Sequence, residues 1–200
     1  MLIAIEGIDG SGKATVARII YKYLSKNRRV FLTKEPTDSE LAKLAYKVLF
    51  RKSKKLSPTA LQLLFMADRA QHVEAVIKPK LKKGYTVIVD RYILSTIAYG
   101  SASGIDQNWL IEVNKTFPKP DITLILDVTP TTALKRLSKE GKKKDMFEGN
   151  LTYLKSVRAK YKALTKLYAN CRIINANYDV NRVKKEATPI IESIAKASLM

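Results

Sequence analysis

Thiols and imidazoles are almost missing from this chain: its 200 residues include one cysteine, Cys171, and one histidine, His72. A single cysteine excludes an internal disulfide and leaves no thiolate and imidazole cluster for a metal. Cys171 precedes the strand-like Arg172-Ile173-Ile174 and reads as a buried or half-buried thiol rather than a nucleophile, since His72 is the whole supply of imidazole bases. Long apolar runs are also lacking, which argues against a membrane span. The chain opens on Leu2-Ile3-Ala4-Ile5, a core-strand pattern rather than a charged lead and cleavage site, so a cytoplasmic location is expected. Acidic residues are scarce: 18 Asp and Glu face 37 Lys and Arg, for a formal net charge of +19. That surplus invites a nucleic-acid reading. However, the lysines are spread over nearly every expected helix, as on a solvated face, and no aromatic-interleaved basic motif accompanies them. A positive field serves small polyanionic substrates equally well, and nucleic acid is not the expected partner.

What is present begins with Gly7-Ile8-Asp9-Gly10-Ser11-Gly12-Lys13, set between an apolar run and a helical pattern. The G-x-x-x-x-G-K spacing lets backbone N–H groups converge on phosphate oxygens at a helix N-terminus while Lys13 reaches the outer phosphates. The pattern ordinarily ends in Ser or Thr, whose hydroxyl ligates Mg²⁺, but Ala14 stands there and Thr15 follows. One residue turns a side chain about 100° around a helix, so Thr15 is no automatic replacement. Val16, Ala17, Ile20, Tyr23 and Leu24 recur at helical spacing and form the expected apolar face of this helix.

Short apolar runs at 2–6, 30–33, 86–90, 122–127 and 172–175 alternate with amphipathic segments at 13–25, 40–50, 58–81, 106–116, 131–137, 151–168 and 180–197. This alternation predicts α/β architecture with a parallel sheet of five strands covered on both faces. Pro79 is a candidate early stop for the third helix. Two hundred residues suit one domain with small insertions. Right-handed crossovers then place every strand's C-terminal end on one rim. The glycine loop, Lys34-Glu35-Pro36, Asp90-Arg91-Tyr92 and the segment from Asp127 all start there. Asp90 suits a metal or the alignment of a nucleophile and Arg91 offers a planar fork to phosphate; pairing with neighbours and capping the next segment is the bland alternative.

Together with the glycine loop, the stretch Asp90-Arg91-Tyr92 through Ser95 and Ala98-Tyr99 resembles the thymidylate kinase family of P-loop nucleoside monophosphate kinases over nearly the full chain. The resemblance implies a P-loop three-layer α/β/α fold, one domain over 1–200 with a small helical lid at about 138–149, and a homodimer. It implies transfer of the ATP γ-phosphoryl group to dTMP with Mg²⁺ as cofactor. The donor site would be residues Gly7, Ile8, Asp9, Gly10, Ser11, Gly12, Lys13, Ala14 and Thr15, with Arg136 against the adenine. Lys34, Glu35 and Arg91 would hold the acceptor phosphate, with Ser95 nearby. Phe65 would stack on thymine and Arg69, four residues on, touch its edge. By spacing alone Phe65 reads first as a core residue beside Leu61, Leu64 and Ala67. Asp9 would accept from the 3′-hydroxyl, or else bind turn amides, and Tyr99 would crowd a 2′-hydroxyl. Lys13, Asp90, Arg91 and the lid lysines Lys142, Lys143 and Lys144 form the expected catalytic set, with Asp90 reaching the metal directly or through water. Gly10 occupies the place where some relatives carry a catalytic Arg, which throws the demand for cation onto the lid. His72 is expected to be structural or exposed.

Three departures from the family pattern bear on function: Ala14 for the hydroxyl, Lys34 for Arg, and Gly100 where many relatives place Gln. The last relaxes base selection, so acceptors such as dUMP are expected beside dTMP. Two other readings remain: a related P-loop kinase with a different acceptor, and a nucleotide-binding protein with weak turnover.

Overall fold

The structure, a computed structural model, describes residues 1–50, 56–139 and 150–197. Five parallel strands, β1 (Leu2–Glu6), β2 (Val30–Lys34), β3 (Thr86–Asp90), β4 (Ile122–Asp127) and β5 (Cys171–Asn175), form one sheet in the order β2-β3-β1-β4-β5. Beside them run α1 (Lys13–Leu24), α2 (Glu40–Leu49), α3 (Pro58–His72), α4 (Lys78–Lys82), α5 (Ile93–Ala102), α6 (Gln107–Asn114), α7 (Pro130–Lys139), α8 (Leu151–Leu164) and α9 (Val180–Ala197). α1 packs with α9, and α5 with α8, α3 and α6, giving the three layers expected for this α/β class. From β1 the chain moves to one side for β2 and β3 and to the other for β4 and β5, and the crevice at such a reversal is where α/β sheets bind ligands.

The three central strands are almost wholly buried, whereas edge strand β2 is half-buried and β5 exposes Arg172, Ile173 and Asn175. The expectation of full cover on both faces therefore holds for the centre of the sheet and fails at its edges. On α1 the buried stripe is Val16, Ala17, Ile20 and Leu24; Tyr23, expected on that face, is exposed. The register sets Ile5 beside Asp90, and Asp90 beside Lys34, so the ends of β1, β3 and β2 stand side by side.

Two expected elements differ. The helix expected over 58–81 passes through a π-helical turn, Val73–Ile77, and runs on as α4 with Pro79 in its first turn. A proline ring crowds the carbonyl four residues earlier, here Ala75, and the wider turn lies at that carbonyl. The second difference is α5, which no amphipathic pattern announces. Ile93, Leu94, Thr96, Ile97, Ala98, Tyr99 and Gly100 are all buried, and a helix buried nearly all round has no stripe to read.

Most of the expected lid, from residue 140 onward, lies outside the described residues, and so do Lys142, Lys143 and Lys144. No helix among the described residues is long and apolar enough to cross a membrane.

Candidate active site

The turn between β1 and α1 needs its glycines for steric reasons. Gly10 has φ +77°, and a Cβ there would stand 2.4 Å from the carbonyl oxygen of Ala133. A long side chain at position 10 therefore has no place on this backbone, and no arginine can act from it. Gly12 caps α1 with φ 92°, and α1 has neither a side-chain cap nor an acidic residue in its first turn. Its opening N–H groups are left for an anion. Lys13 is buried, and its Nζ donates to the carbonyls of Gly7 (3.1 Å) and Ile8 (3.0 Å). Burial, then the nearby Arg91, lowers the Lys13 ammonium from its usual range, against the pull of Asp9.

Arg91 follows β3 with φ +67°, a rare conformation for a side-chain-bearing residue. Glu6, fully buried at the end of β1, holds that kink. Its Oε1 accepts from the N–H groups of Tyr92 (2.9 Å) and Ser95 (3.2 Å), capping α5 from another strand. Its Oε2 accepts from Ser95 Oγ (2.5 Å) and Tyr161 OH (3.1 Å). Burial raises the Glu6 carboxyl, and the Ser95 hydrogen bond and Arg91 offset part of that rise. The Arg91 guanidinium donates to Asp9 Oδ1 (2.5 Å) and Ser95 Oγ (3.2 Å) and lies over the Tyr99 ring at 5.2 Å. Asp9 also stands 3.8 Å from Lys13 Nζ. Burial alone would raise its carboxyl, but Arg91 and then Lys13 hold it well below the usual carboxylate range.

A second buried network lies under α3. Arg69 donates to Glu35 Oε2 (2.7 Å), Thr96 Oγ1 (2.8 Å), Asn114 Oδ1 (2.9 Å) and the Tyr92 carbonyl (2.8 Å). Those bonds engage four of the five guanidinium N–H groups and leave one on Nη2. His72, which the sequence left as structural or exposed, is buried and bridges Glu35 (3.0 Å) to Thr33 (2.9 Å). Asp68 accepts from the Thr37 N–H (2.8 Å) and Ser39 Oγ (2.6 Å), tying the chain after β2 to α3. Glu6, Asp68, His72, Thr96 and Asn114 were not singled out as site residues. Their partners are distant in sequence, and no spacing motif marks them.

Both groups of residues face one crevice of about 660 Å³, within the range of small-ligand sites. Around it the fold gathers Asp9 to Thr15 of the glycine loop, Lys34 and Glu35 after β2, Phe65 and Arg69 of α3, and Asp90, Arg91, Ser95 and Tyr99 after β3. Arg136 closes one end, reaching the carbonyls of Tyr178 (2.7 Å) and Gly10 (3.5 Å). Gly7 and Ile8 do not line the crevice. Ile8 is packed in the core, and a Cβ at Gly7 would meet the Leu126 carbonyl at 2.8 Å. Phe65 is half-buried against a small cluster of Ala45, Val48, Leu49 and Leu61 and also lines the crevice, so core and site are both served by one ring. Lys34 is exposed at the rim, 3.6 Å from Asp38.

Two buried oxygens on this rim, Asp90 Oδ1 and Ser11 Oγ, have no hydrogen-bond partner among the described residues. A carboxylate oxygen kept dry and unpaired suits a hard cation such as Mg²⁺, whereas Ala14 offers no oxygen at all. No cluster of three acidic, His or Cys side chains able to hold a metal occurs among the described residues. Among the described residues, Asp90 Oδ1 and Ser11 Oγ are the enclosed crevice oxygens left open to such an ion.

Comparison with known proteins gives one consistent result. The family model described as thymidylate kinase matches residues 5–187. A protein of Sulfolobus acidocaldarius named probable thymidylate kinase is 40% identical over 196 residues, covering 96% of both chains. Proteins of the same name from Pyrococcus horikoshii and Thermococcus kodakarensis are 39% and 38% identical over 195 and 202 residues, covering at least 95% of each chain.

Proposed function

The chain belongs to the thymidylate kinase family, and from that premise we propose that it transfers the γ-phosphoryl group of ATP to the 5′-phosphate of dTMP, giving dTDP and ADP. One observation supports this above the rest: Lys13 of the glycine loop and Arg91, just past β3, converge on the single carboxylate of Asp9, at 3.8 and 2.5 Å. Two cations that follow different strands, one on a phosphate cradle, provide a meeting point for a donor and an acceptor phosphate.

The bond from the γ-phosphorus to the β,γ-bridging oxygen breaks as an acceptor phosphate oxygen forms its own bond to that phosphorus. The acceptor oxygen is already anionic, so no strong base is required, and the chain's task is alignment and charge neutralisation. Glycine-loop amides and Lys13 hold the donor phosphates, with Arg136 toward the adenine. Arg91 and Lys34 hold the acceptor phosphate, and Lys142, Lys143 and Lys144 of the lid cover the transferring group. Ser95 acts through Arg91, its hydroxyl standing between that guanidinium and Glu6. Phe65 stacks on the base, and the Nη2–H left over on Arg69 meets its edge. Asp9 takes the 3′-hydroxyl and Tyr99 crowds the 2′ position. Asp90 would hold Mg²⁺, directly or through water, and the metal when bound neutralises charge on the donor phosphates. Glu35 serves by fixing Arg69. A homodimer belongs to the same reading, and the exposed Leu41 and Leu44 of α2 and Leu63 of the adjoining α3 supply an apolar surface for it.

One observation favours a wider acceptor range. Position 100 is a buried glycine that does not line the crevice and carries no amide to select the base, so dUMP is expected to react beside dTMP. Incubation with ATP, Mg²⁺ and a panel of monophosphates, followed by chromatographic detection of diphosphates, tests both statements. Turnover greatest with dTMP and measurable with dUMP supports them. Nucleotide binding with no diphosphate from any acceptor overturns the kinase reading and leaves a binding protein.

A further inference from the structure

Gln62 is 2% exposed on α3 and lines the crevice, yet among the described residues its side-chain amide makes no hydrogen bond with the protein. Its amide atoms are not among the fully enclosed atoms that lack a partner, so what the amide meets is the crevice rather than the protein. Gln62, Phe65 and Arg69 stand at i, i+3 and i+7, so they share one face of α3, with Gln62 a turn ahead of the ring assigned to base stacking. On α5, at a buried position behind the crevice lining, a Cβ added at Gly100 would come within 3.3 Å of Gln62 Cγ and 2.7 Å of Leu110 Cδ1. A side chain at position 100 would collide with Leu110 and press only lightly on Gln62.

We infer that Gln62 is a specificity-determining residue that hydrogen-bonds the imide edge of the acceptor base. A carboxamide offers one acceptor and two donors side by side. An imide presents an N–H flanked by carbonyl oxygens, which that pair complements. Thymine and uracil share this edge and differ only by a methyl group away from it. Gln62 therefore binds both bases alike and does not separate one from the other. The inference rests on the acceptor reading of the crevice given above.

Gln62→Met keeps the unbranched shape and removes the amide. Loss of a hydrogen bond to the base is expected to lower kcat/KM for dTMP and for dUMP by the same factor, about tenfold, through KM, leaving their ratio and the KM for ATP unchanged. The apo variant is expected to melt close to the wild-type temperature, because the change breaks no hydrogen bond within the protein. A residue needed only for packing gives the reverse: a lower melting temperature with an unchanged KM for dTMP, which overturns the inference. Gln62→Ala, which opens space instead of filling it, is expected to show the same kinetic pattern should methionine pack poorly. Calorimetric titration of the wild type with dTMP separates the two levels of the argument. No binding overturns the acceptor reading and this inference together, whereas ordinary binding with identical affinity in Gln62→Met overturns this inference alone.

Discussion

Replacing Arg69 by methionine tests whether the floor of the crevice is held by the buried network under α3. Methionine matches the length of the aliphatic stem and supplies none of the donors. The change removes the 2.7 Å ion pair to Glu35, strands Thr96 Oγ1 and Asn114 Oδ1, and leaves the Tyr92 carbonyl with only the Ser95 N–H. It also removes a cation lying 5.2 Å from the Tyr92 ring centre and 5.6 Å from that of Phe117. Removing one partner of a buried pair costs about 3–5 kcal/mol, chiefly because the other charge is left without compensation. His72 stays 3.0 Å from Glu35 and continues to satisfy one of its oxygens, so the lower half of that range, about 3–4 kcal/mol, is expected. At about 2–4 °C per kcal/mol for a chain of this size, the melting temperature should fall by roughly 6–16 °C. Calorimetric unfolding at pH 7 reads this directly. Adding Glu35→Gln to Arg69→Met should recover part of the loss, since the stranded charge is then gone. A fall of less than about 2 °C, or a double variant worse than the sum of the two singles, refutes the reasoning.

Further outcomes follow from the same geometry. Gly10→Ala and Gly12→Ala both place a Cβ at positive φ, but only the first meets backbone, at 2.4 Å, while the second opens onto free space. Gly10→Ala should therefore raise the KM for ATP at least tenfold more than Gly12→Ala, and equal effects would show that strain rather than collision governs the loop. Asp9 has a depressed folded pKa, so its contribution to stability is complete above the unfolded value of about 3.9 and is lost as pH falls through the folded one. The pH profile of kcat/KM should accordingly carry no limb from Asp9 between pH 5 and 8, and an acidic limb there that Asp9→Asn abolishes would contradict the ion-pair account. Burial, followed by the charge of Glu6, pushes the Cys171 thiol up to about 11. The native protein should then react with a disulfide reagent at pH 8 far more slowly than the unfolded chain, and equal rates would refute that burial.

How far the molecule could be read beforehand depended on the range of each interaction. The glycine loop was legible because a strand, a turn of fixed spacing and a helix start lie within a few residues, whereas the collision that keeps position 10 a glycine comes from distant Ala133 and has no local sign. Arg91 and Asp90 were legible as charges at the end of a buried strand. The kink at Arg91 was not, since the acceptor that caps α5 is Glu6, whose place in the chain reads only as the last residue of β1. Arg69 was placed by helical spacing, but its partners lie 23 to 45 residues away, and no pattern reports a network closed over such distances. Helix α5 escaped because a wholly buried helix has no polar face to alternate with. Gln62 and Gly100 could be linked only once α3 and α5 were seen side by side.

Direct transfer between two bound nucleotides is the claim on which the rest depends, and it is tested most directly with ATP labelled at the γ-phosphate, dTMP and Mg²⁺, the products being separated by nucleotide chromatography. The account expects the label to move into dTDP in a one-to-one ratio with ADP, with none retained on the protein. Label released as inorganic phosphate, or bound to the chain, would contradict it.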